Sequence, residues 1–349
     1  MRGLVVKRPS SVAVLGGTDS GKTTFCIMLA NHAVRARLRV ALIDGDIGQA
    51  ELGAPTTVSM AFIKEQTIDL FPLTAGKAYF VGTTTPSVLP GRLIDDLEKL
   101  QRAAAEKGAD LVVLNTDGWV EGLAAIEHKA GIINRLRPDV CIMLQSSQEL
   151  QGLAEAVGRT GCQTIMLPVP PSIKKRSREE RRELRQLRYR KALKGLACRT
   201  MRLGKVRLEA AAIGGGIPLA QGRIDELAAL LGSPVLYGEQ EATGLTVVVD
   251  EHGLHAKRQA PLPAESAPAV RIVPAGVERG LIAGLLGKHD ELLALGIIEE
   301  IDYVRGVVKV LTGYRAPVDA IQVGQVRLDR DCRELAQYAS SPLAGYTPR

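Results

Sequence analysis

The octapeptide GGTDSGKT at residues 16–23 constrains this chain more than any other stretch. It fits G-x-x-x-x-G-K-[ST], with Gly16, Gly21, Lys22 and Thr23 in register. The apolar run SVAVLGG (11–17) reads as a strand that ends in glycine. KTTFCIMLANHAVRA (22–36) reads as a helix, with Phe25, Leu29 and Ala33 at i, i+4 and i+8. A strand that turns directly into a helix through glycine presents backbone N–H groups and a positive helix end to an anion. Gly16, Gly17, Thr18, Asp19, Ser20, Gly21, Lys22, Thr23 and Thr24 are therefore expected to cradle the phosphates of a nucleotide. Lys22 would bridge the β- and γ-phosphates, and the Thr23 hydroxyl would ligate Mg²⁺.

The same alternation continues along the chain. RVALIDGDIG (39–48), AYFVG (78–82), DLVVLNT (110–116), VCIMLQ (140–145) and TIMLPV (164–169) read as strands. Helical patterns fall between them, near 87–108, 122–135 and 148–157. Continuously apolar strands separated by helices imply an α/β, doubly wound parallel sheet covered on both faces. The pattern gives way at about residue 170 to a basic segment. Beyond residue 203 the texture turns to strands and tight turns, including a β-meander over 280–313 with turns near GKHD and VRG. A proline-rich connection, RQAPLPAESAP, occupies 258–268. The expected organisation is a phosphate-loop domain over 1–203 with a lid at about 174–197, and a smaller β-rich domain over 204–349.

At 349 residues the chain is long for one domain, and aromatics make up only 3%, so the cores must be built from Ala, Val, Leu and Ile. The five cysteines show no zinc or redox spacing, and their odd number argues against a disulfide framework. The apolar stretches of the basic N-terminus are too short for a signal peptide, and no run suits a membrane helix. A cytoplasmic protein is the expectation. Residues 174–194 hold eleven Lys or Arg against three Glu, a net +8, whereas the whole chain carries +7. The positive charge is thus one segment on an otherwise near-neutral protein. A charge run is usually a solvated face. Here it is arginine-rich, which suits bidentate phosphate contacts, and it follows the last strand of the sheet, where phosphoryl-transfer enzymes keep a lid.

Two further features sit where ligands bind in doubly wound sheets, at strand C-terminal ends. Asp44 and Asp46 close the second strand, where a carboxylate can hold Mg²⁺, orient an attacking hydroxyl, or merely shape a turn before Gly48. The single tryptophan, Trp119, lies among the turn formers of NTDGW just past the strand ending at Thr116. The guanine-specifying N/T-K-x-D sequence is absent, as is the early second lysine of partition-type ATPases.

In order, GGTDSGKTT, DIGQ, NTDGWV and RSREERRELRQLRYR together resemble the polynucleotide 5′-hydroxyl kinase family, over residues 11 to about 200, and the C-terminal tail resembles that family's C-terminal domain. Relative to eukaryotic members, which carry a β-rich domain ahead of the phosphate loop, the resemblance is to the short form. It implies ATP- and Mg²⁺-dependent phosphorylation of the 5′-hydroxyl of RNA, with DNA as a further acceptor and no membrane partner. By resemblance Asp46 activates or positions the hydroxyl and contributes to the metal site, and Gln49 helps to hold the RNA end. Thr116, Gly118 and Trp119 form a clasp around the terminal nucleotide, and Arg185 and Arg190 act from the lid. A tryptophan in that clasp is a stacking platform for a base, or else a plug of the loop onto the sheet edge. Asp117 fills the clasp's variable position with a negative charge. The rival readings are a nucleotide-switch ATPase of the partition or metal-insertion type, which LIDGDIG also fits, and a catalytically weak RNA-binding scaffold.

Overall fold

The structure is a computed structural model that describes residues 10–211, 213, 216–242, 244–250, 269–340 and 342. The chain divides into two compact units after Ala192. In the first, the elements are β1 (Ser10–Gly16), α1 (Lys22–Arg35), β2 (Val40–Gly45), β3 (Thr57–Ile63), β4 (Lys77–Phe80), α2 (Pro90–Glu106), β5 (Leu111–Thr116), α3 (Leu123–Leu136), β6 (Val140–Gln145), α4 (Gln151–Gly158), β7 (Gln163–Pro168) and α5 (Arg178–Ala192). The sheet order is β4-β3-β2-β5-β1-β6-β7. The five strands β2, β5, β1, β6 and β7 are parallel, as their unbroken apolar runs imply. Side chains alternate between two cores. Val14, Leu42, Val113 and Ile142 face one that includes α1 residues Cys26, Ile27 and Ala30. Ala13, Ile43, Leu114 and Met143 face the other, with Leu93, Leu97 and Leu100 of α2 and Ile132 of α3.

The register of the three central strands builds the functional edge. Asn115 on β5 pairs with Val14 on β1 and with Asp44 on β2, and Gly45 pairs with Thr116. The phosphate loop, the DGD turn and the NTDGW loop therefore leave the sheet side by side.

Two features depart from the sequence expectation. The sheet is mixed, because β3, from TVSMAFI, pairs antiparallel with both β2 and β4. No helix intervenes between β2 and β3, and a parallel return needs such a crossover. The boundary falls earlier than residue 203. The next strand, β8 (Ala197–Arg202), belongs to the second unit through its antiparallel ladder to a strand at Val307–Thr312. Cys141 and Cys162, which no spacing motif pairs, bring their Sγ atoms to 3.1 Å as free thiols.

The second unit continues with β9 (Arg207–Glu209), β10 (Ile217–Pro218), α6 (Gln221–Leu231), β11 (Val235–Glu241), β12 (Gly244–Val249), β13 (Ala269–Pro274), β14 (Leu281–Leu286), β15 (Leu292–Asp302), β16 (Val307–Thr312), β17 (Ala320–Leu328) and β18 (Glu334–Gln337). They form a four-stranded sheet, β10-β11-β12-β13, and a seven-stranded sheet that includes β8. β14, β15 and β16 are the expected meander. The helix α6 is an element that the strand-and-turn reading of this region does not contain. It packs Leu227 against Leu245, Val247 and Ile272. The proline-rich connection at 258–268 and the N-terminal residues 1–9 lie outside the described residues. Among the described residues no helix is long and apolar enough to cross a membrane.

Candidate active site

A cavity of about 1000 Å³ opens at the C-terminal edge of the first sheet, and residues 17–24 form its floor. Gly21, the residue before α1, takes φ +88, a left-handed conformation in which a Cβ is strained, and a Cβ there would also stand 2.8 Å from Ile173. The loop so formed aims the N-terminus of α1 into the cavity. Lys22 is buried, and its ammonium donates to the Gly17 carbonyl at 2.7 Å. Burial pulls its pKa below the ordinary lysine value, while the carboxylates of Asp46 and Asp117 oppose that shift. Ser20 Oγ is buried with no hydrogen-bond partner among the described residues. An unfilled donor inside a phosphate-loop cradle fits a phosphate oxygen.

Asp44 and Asp46 have separate environments. Asp44 is buried, and both its oxygens are engaged. Oδ1 accepts from Asn115 Nδ2 at 3.0 Å, and Oδ2 accepts the N–H groups of Glu51 and Leu52 at 2.6 and 3.0 Å. Asn115 Nδ2 also lies 3.3 Å from the Thr23 hydroxyl. Asp44 thus braces the turn and, through Asn115, the start of α1. Asp46 lines the cavity. Its Oδ1 accepts from the N–H groups of Gly48 and Gln49 at 3.1 and 2.8 Å. Burial first, then the charge of Asp117, pushes its carboxyl up to about 6, against the pull of Lys22. Gln49 lines the same wall, with Nε2 donating to the Gly48 carbonyl and a buried Oε1 that has no partner among the described residues.

The NTDGW loop presses on the phosphate loop. A Cβ on Gly118 would fall 2.8 Å from both Thr18 N and Thr18 Cα, so only glycine permits this approach. Thr116 does not line the cavity. It is buried, and its hydroxyl donates to the Val14 carbonyl at 2.8 Å, tying the end of β5 to β1. Trp119 does line the cavity, with its backbone N–H held by Asp117 Oδ1 at 2.9 Å. Its ring rests against that of His128, 5.6 Å between centroids and tilted by 31°. Burial, with help from Lys129, pushes the His128 imidazole down to about 4, so it is a neutral backing plate at neutral pH. Asp117 is not a free charge on the phosphate path. It forms an ion pair of 2.6 Å with Lys129 Nζ, whose side chain is fully buried.

His128 and Lys129 went unmarked in the sequence, though a signal existed. They sit on the buried stripe of α3 with Ala125, Ile132, Ile133 and Leu136, where a helix of this kind is normally apolar.

The basic segment covers one side of the cavity. Lys174, Lys175, Arg176, Arg178, Arg181 and Arg185 line it. Arg190, expected beside Arg185, is not among the lining residues. The helix end that carries it is fastened elsewhere: Lys191 Nζ donates to the carbonyls of Phe71 and Leu73 and stands 4.7 Å over the Phe71 ring.

This chain is similar in sequence and in fold to known proteins. The family model described as mRNA cleavage and polyadenylation factor CLP1 P-loop matches residues 16–195. A polyribonucleotide 5′-hydroxyl-kinase of Pyrococcus horikoshii is 28% identical over 340 residues, covering 95% of this chain and 89% of its own length. One of Methanocaldococcus jannaschii is 28% identical over 333 residues, covering 94% and 90%. The polyribonucleotide 5′-hydroxyl-kinase Clp1 of Gallus gallus is 31% identical over 204 residues, 54% of this chain and 46% of that protein. Among solved structures, Clp1p in complex with Pcf11p (454–563) superposes with a TM-score of 0.58, covering 93% of this chain and 76% of that one. At 13% identity that likeness speaks for the fold alone.

Proposed function

Because the chain belongs to the CLP1 P-loop family, we propose that it transfers the γ-phosphoryl group of ATP to the 5′-hydroxyl end of RNA. The observation that carries this reading is the convergence of the phosphate loop, the Asp46 carboxylate, the Trp119 ring and the lid arginines on one cavity. A nucleotide switch needs the first two. It has no use for an aromatic platform beside them. The partition-type alternative is not favoured, since relatives matched over 95% of the chain are named as RNA kinases.

Phosphoryl transfer asks little covalent chemistry of a protein and much positioning. Lys22 and the loop N–H groups hold the donor phosphates, with Ser20 Oγ available as a further donor. The terminal base stacks on Trp119, which His128 backs and the Asp117 bond fixes. A 5′-hydroxyl held there would meet, on the same cavity wall, Asp46, whose carboxyl, at about 6, can accept a proton or orient the hydroxyl at neutral pH. The Thr23 hydroxyl and Asp46 are hard oxygen donors that suit Mg²⁺, an ion that takes one or two protein ligands and keeps its waters. When bound, Mg²⁺ supplies charge neutralisation on the phosphoryl oxygens. Arg185 acts from the lid on the same charge. The test is incubation with γ-labelled ATP and 5′-hydroxyl oligoribonucleotide or oligodeoxyribonucleotide. Label on the RNA is expected. Label released only as free phosphate would restore the switch reading.

Trp119→Ala should weaken oligonucleotide binding by about 1–3 kcal/mol, the scale of one base–aromatic stack, and leave ATP affinity nearly unchanged. Fluorescence titration with a 5′-hydroxyl oligonucleotide measures the first and a nucleotide titration the second. A variant with normal RNA affinity and a lowered melting temperature would instead assign the ring to plugging the loop.

The two lid arginines should separate. Arg185→Ala should lower the transfer rate by roughly 10²-fold at saturating ATP, because its charge matters most as the phosphoryl group moves. Arg190→Ala should cost less, because Arg190 is away from the cavity wall. Equal losses in kcat would show that the far end of α5 reaches the reacting group.

A further inference from the structure

The phosphate loop carries a residue whose side chain is bonded to the basic segment. Asp19 holds φ +56, a left-handed conformation uncommon outside glycine and tolerated best by Asp and Asn. One carboxylate oxygen, Oδ2, accepts two hydrogen bonds at 2.9 Å, from the backbone N–H of Arg176 and from Nη1 of Arg181. The pair is partly shielded, with Asp19 11% and Arg181 25% exposed. These bonds span 157 and 162 residues and join the floor of the cavity to the segment that covers it.

The grip acts on a rigid handle. Ser177 and Glu180 cap the start of α5 reciprocally, with Glu180 N–H donating to Ser177 Oγ at 3.1 Å and Ser177 N–H to Glu180 Oε2 at 2.7 Å. Arg181 lies in the first turn of α5, and Arg185 follows four residues later on the same face. Holding Arg181 therefore sets where Arg185 points. At its other end α5 is fastened to the loop at 71–73 by Lys191, and that loop is tied to α1 through Asn31 and Thr67, at 2.7 and 2.9 Å. The helix is held at one end by Lys191 on the 71–73 loop and at the other by Arg181 on Asp19.

We propose that Asp19 is a positioning residue, a latch that docks the first turn of the arginine helix onto the phosphate loop and thereby aims Arg185 at the transferred phosphoryl group. This deepens the kinase reading and rests on it. Asp19 would do two jobs with two parts: its backbone shapes the phosphate cradle, and its side chain recruits the lid. Arg181, to which the arginine-helix motif gives no role of its own, becomes the lid residue that feels the loop.

Two measurements test the latch. The first needs no activity. Lys174, Lys175 and Arg178 are exposed trypsin sites beside it. Asn accepts the left-handed conformation, so Asp19→Asn keeps the loop and loses the charge. Cleavage within 174–178 of the protein without nucleotide should quicken by about tenfold, the scale of one partly exposed charge-assisted bond. Arg181→Gln, which leaves the phosphate loop untouched, should show the same gain. The second is a cycle on the transfer rate at saturating ATP. Asp19→Asn and Arg181→Gln should each lower it, and the double variant should be no slower than the worse single one. Cleavage within twofold of the parent in both variants overturns the latch, and so do rate losses that multiply. If the parent transfers no label to RNA, the kinase reading fails, while the cleavage comparison still judges the latch.

Discussion

Lys22→Ala should abolish transfer to the oligonucleotide, a loss of roughly 10²–10³ or more, the scale for removing one preorganised charge from a phosphoryl-transfer site. The size follows from where the ammonium sits. It is buried at the base of the cavity, held to Gly17 O, in the field of both Asp46 and Asp117. Its loss removes the cation that meets the donor phosphates. It also withdraws the charge that, with the Gln49 N–H, holds the Asp46 carboxyl down against burial and Asp117. A carboxyl that is harder to ionise spends less time in the form that can take the hydroxyl proton, so one substitution touches both ends of the in-line path. Label transfer from γ-labelled ATP measures the loss, and a cooperative melt of the variant shows that it is chemical. Transfer within threefold of the parent would remove this loop from the reaction.

For Asp46→Asn a fall in transfer rate of roughly 10²–10⁴ is expected, the range for positioned acid–base groups. The amide oxygen can still accept from the N–H groups of Gly48 and Gln49, so the turn after β2 should keep its shape. Asp44, which braces that turn from within, is untouched. Trp119 and the lid remain, so RNA affinity should hold. Measuring oligonucleotide phosphorylation and free phosphate side by side gives the decision. A selective loss of phosphorylation fits a group that faces the 5′-hydroxyl. A defect confined to RNA-independent ATP hydrolysis fits the switch ATPase, and unchanged phosphorylation takes Asp46 out of the mechanism.

What the sequence disclosed was local. A strand that ends in glycine before GKT, a pair of aspartates after VALI and a tryptophan beyond VVLNT each announce themselves within ten residues, because backbone turn chemistry and apolar runs are short-range properties. The parallel core followed from the same runs. β3 carries no clear strand signal because TVSMAFI mixes polar and apolar residues, although all but one of its positions are buried. The division after Ala192 is not legible locally, because ACRTMR alternates in exposure at the edge of its sheet and only its ladder to β16 assigns it. The partners of the site residues were the least legible. Arg181 meets Asp19 across 162 residues, and Arg185 lines the cavity whereas Arg190 is not among its lining residues. Such facts belong to packing, which no spacing encodes.

The ion pair between Asp117 and Lys129 has a consequence for descent. A fully buried ammonium left without its carboxylate is a heavy burden on a fold, and a carboxylate left alone beside Asp46 would work against phosphate. Neither residue can drift by itself. A lineage that replaces Asp117 with an uncharged residue must also discard the charge at 129, so the two positions should be inherited as a couple. Grafting a clasp from a relative into this chain would then fail unless one residue of the third helix travels with it.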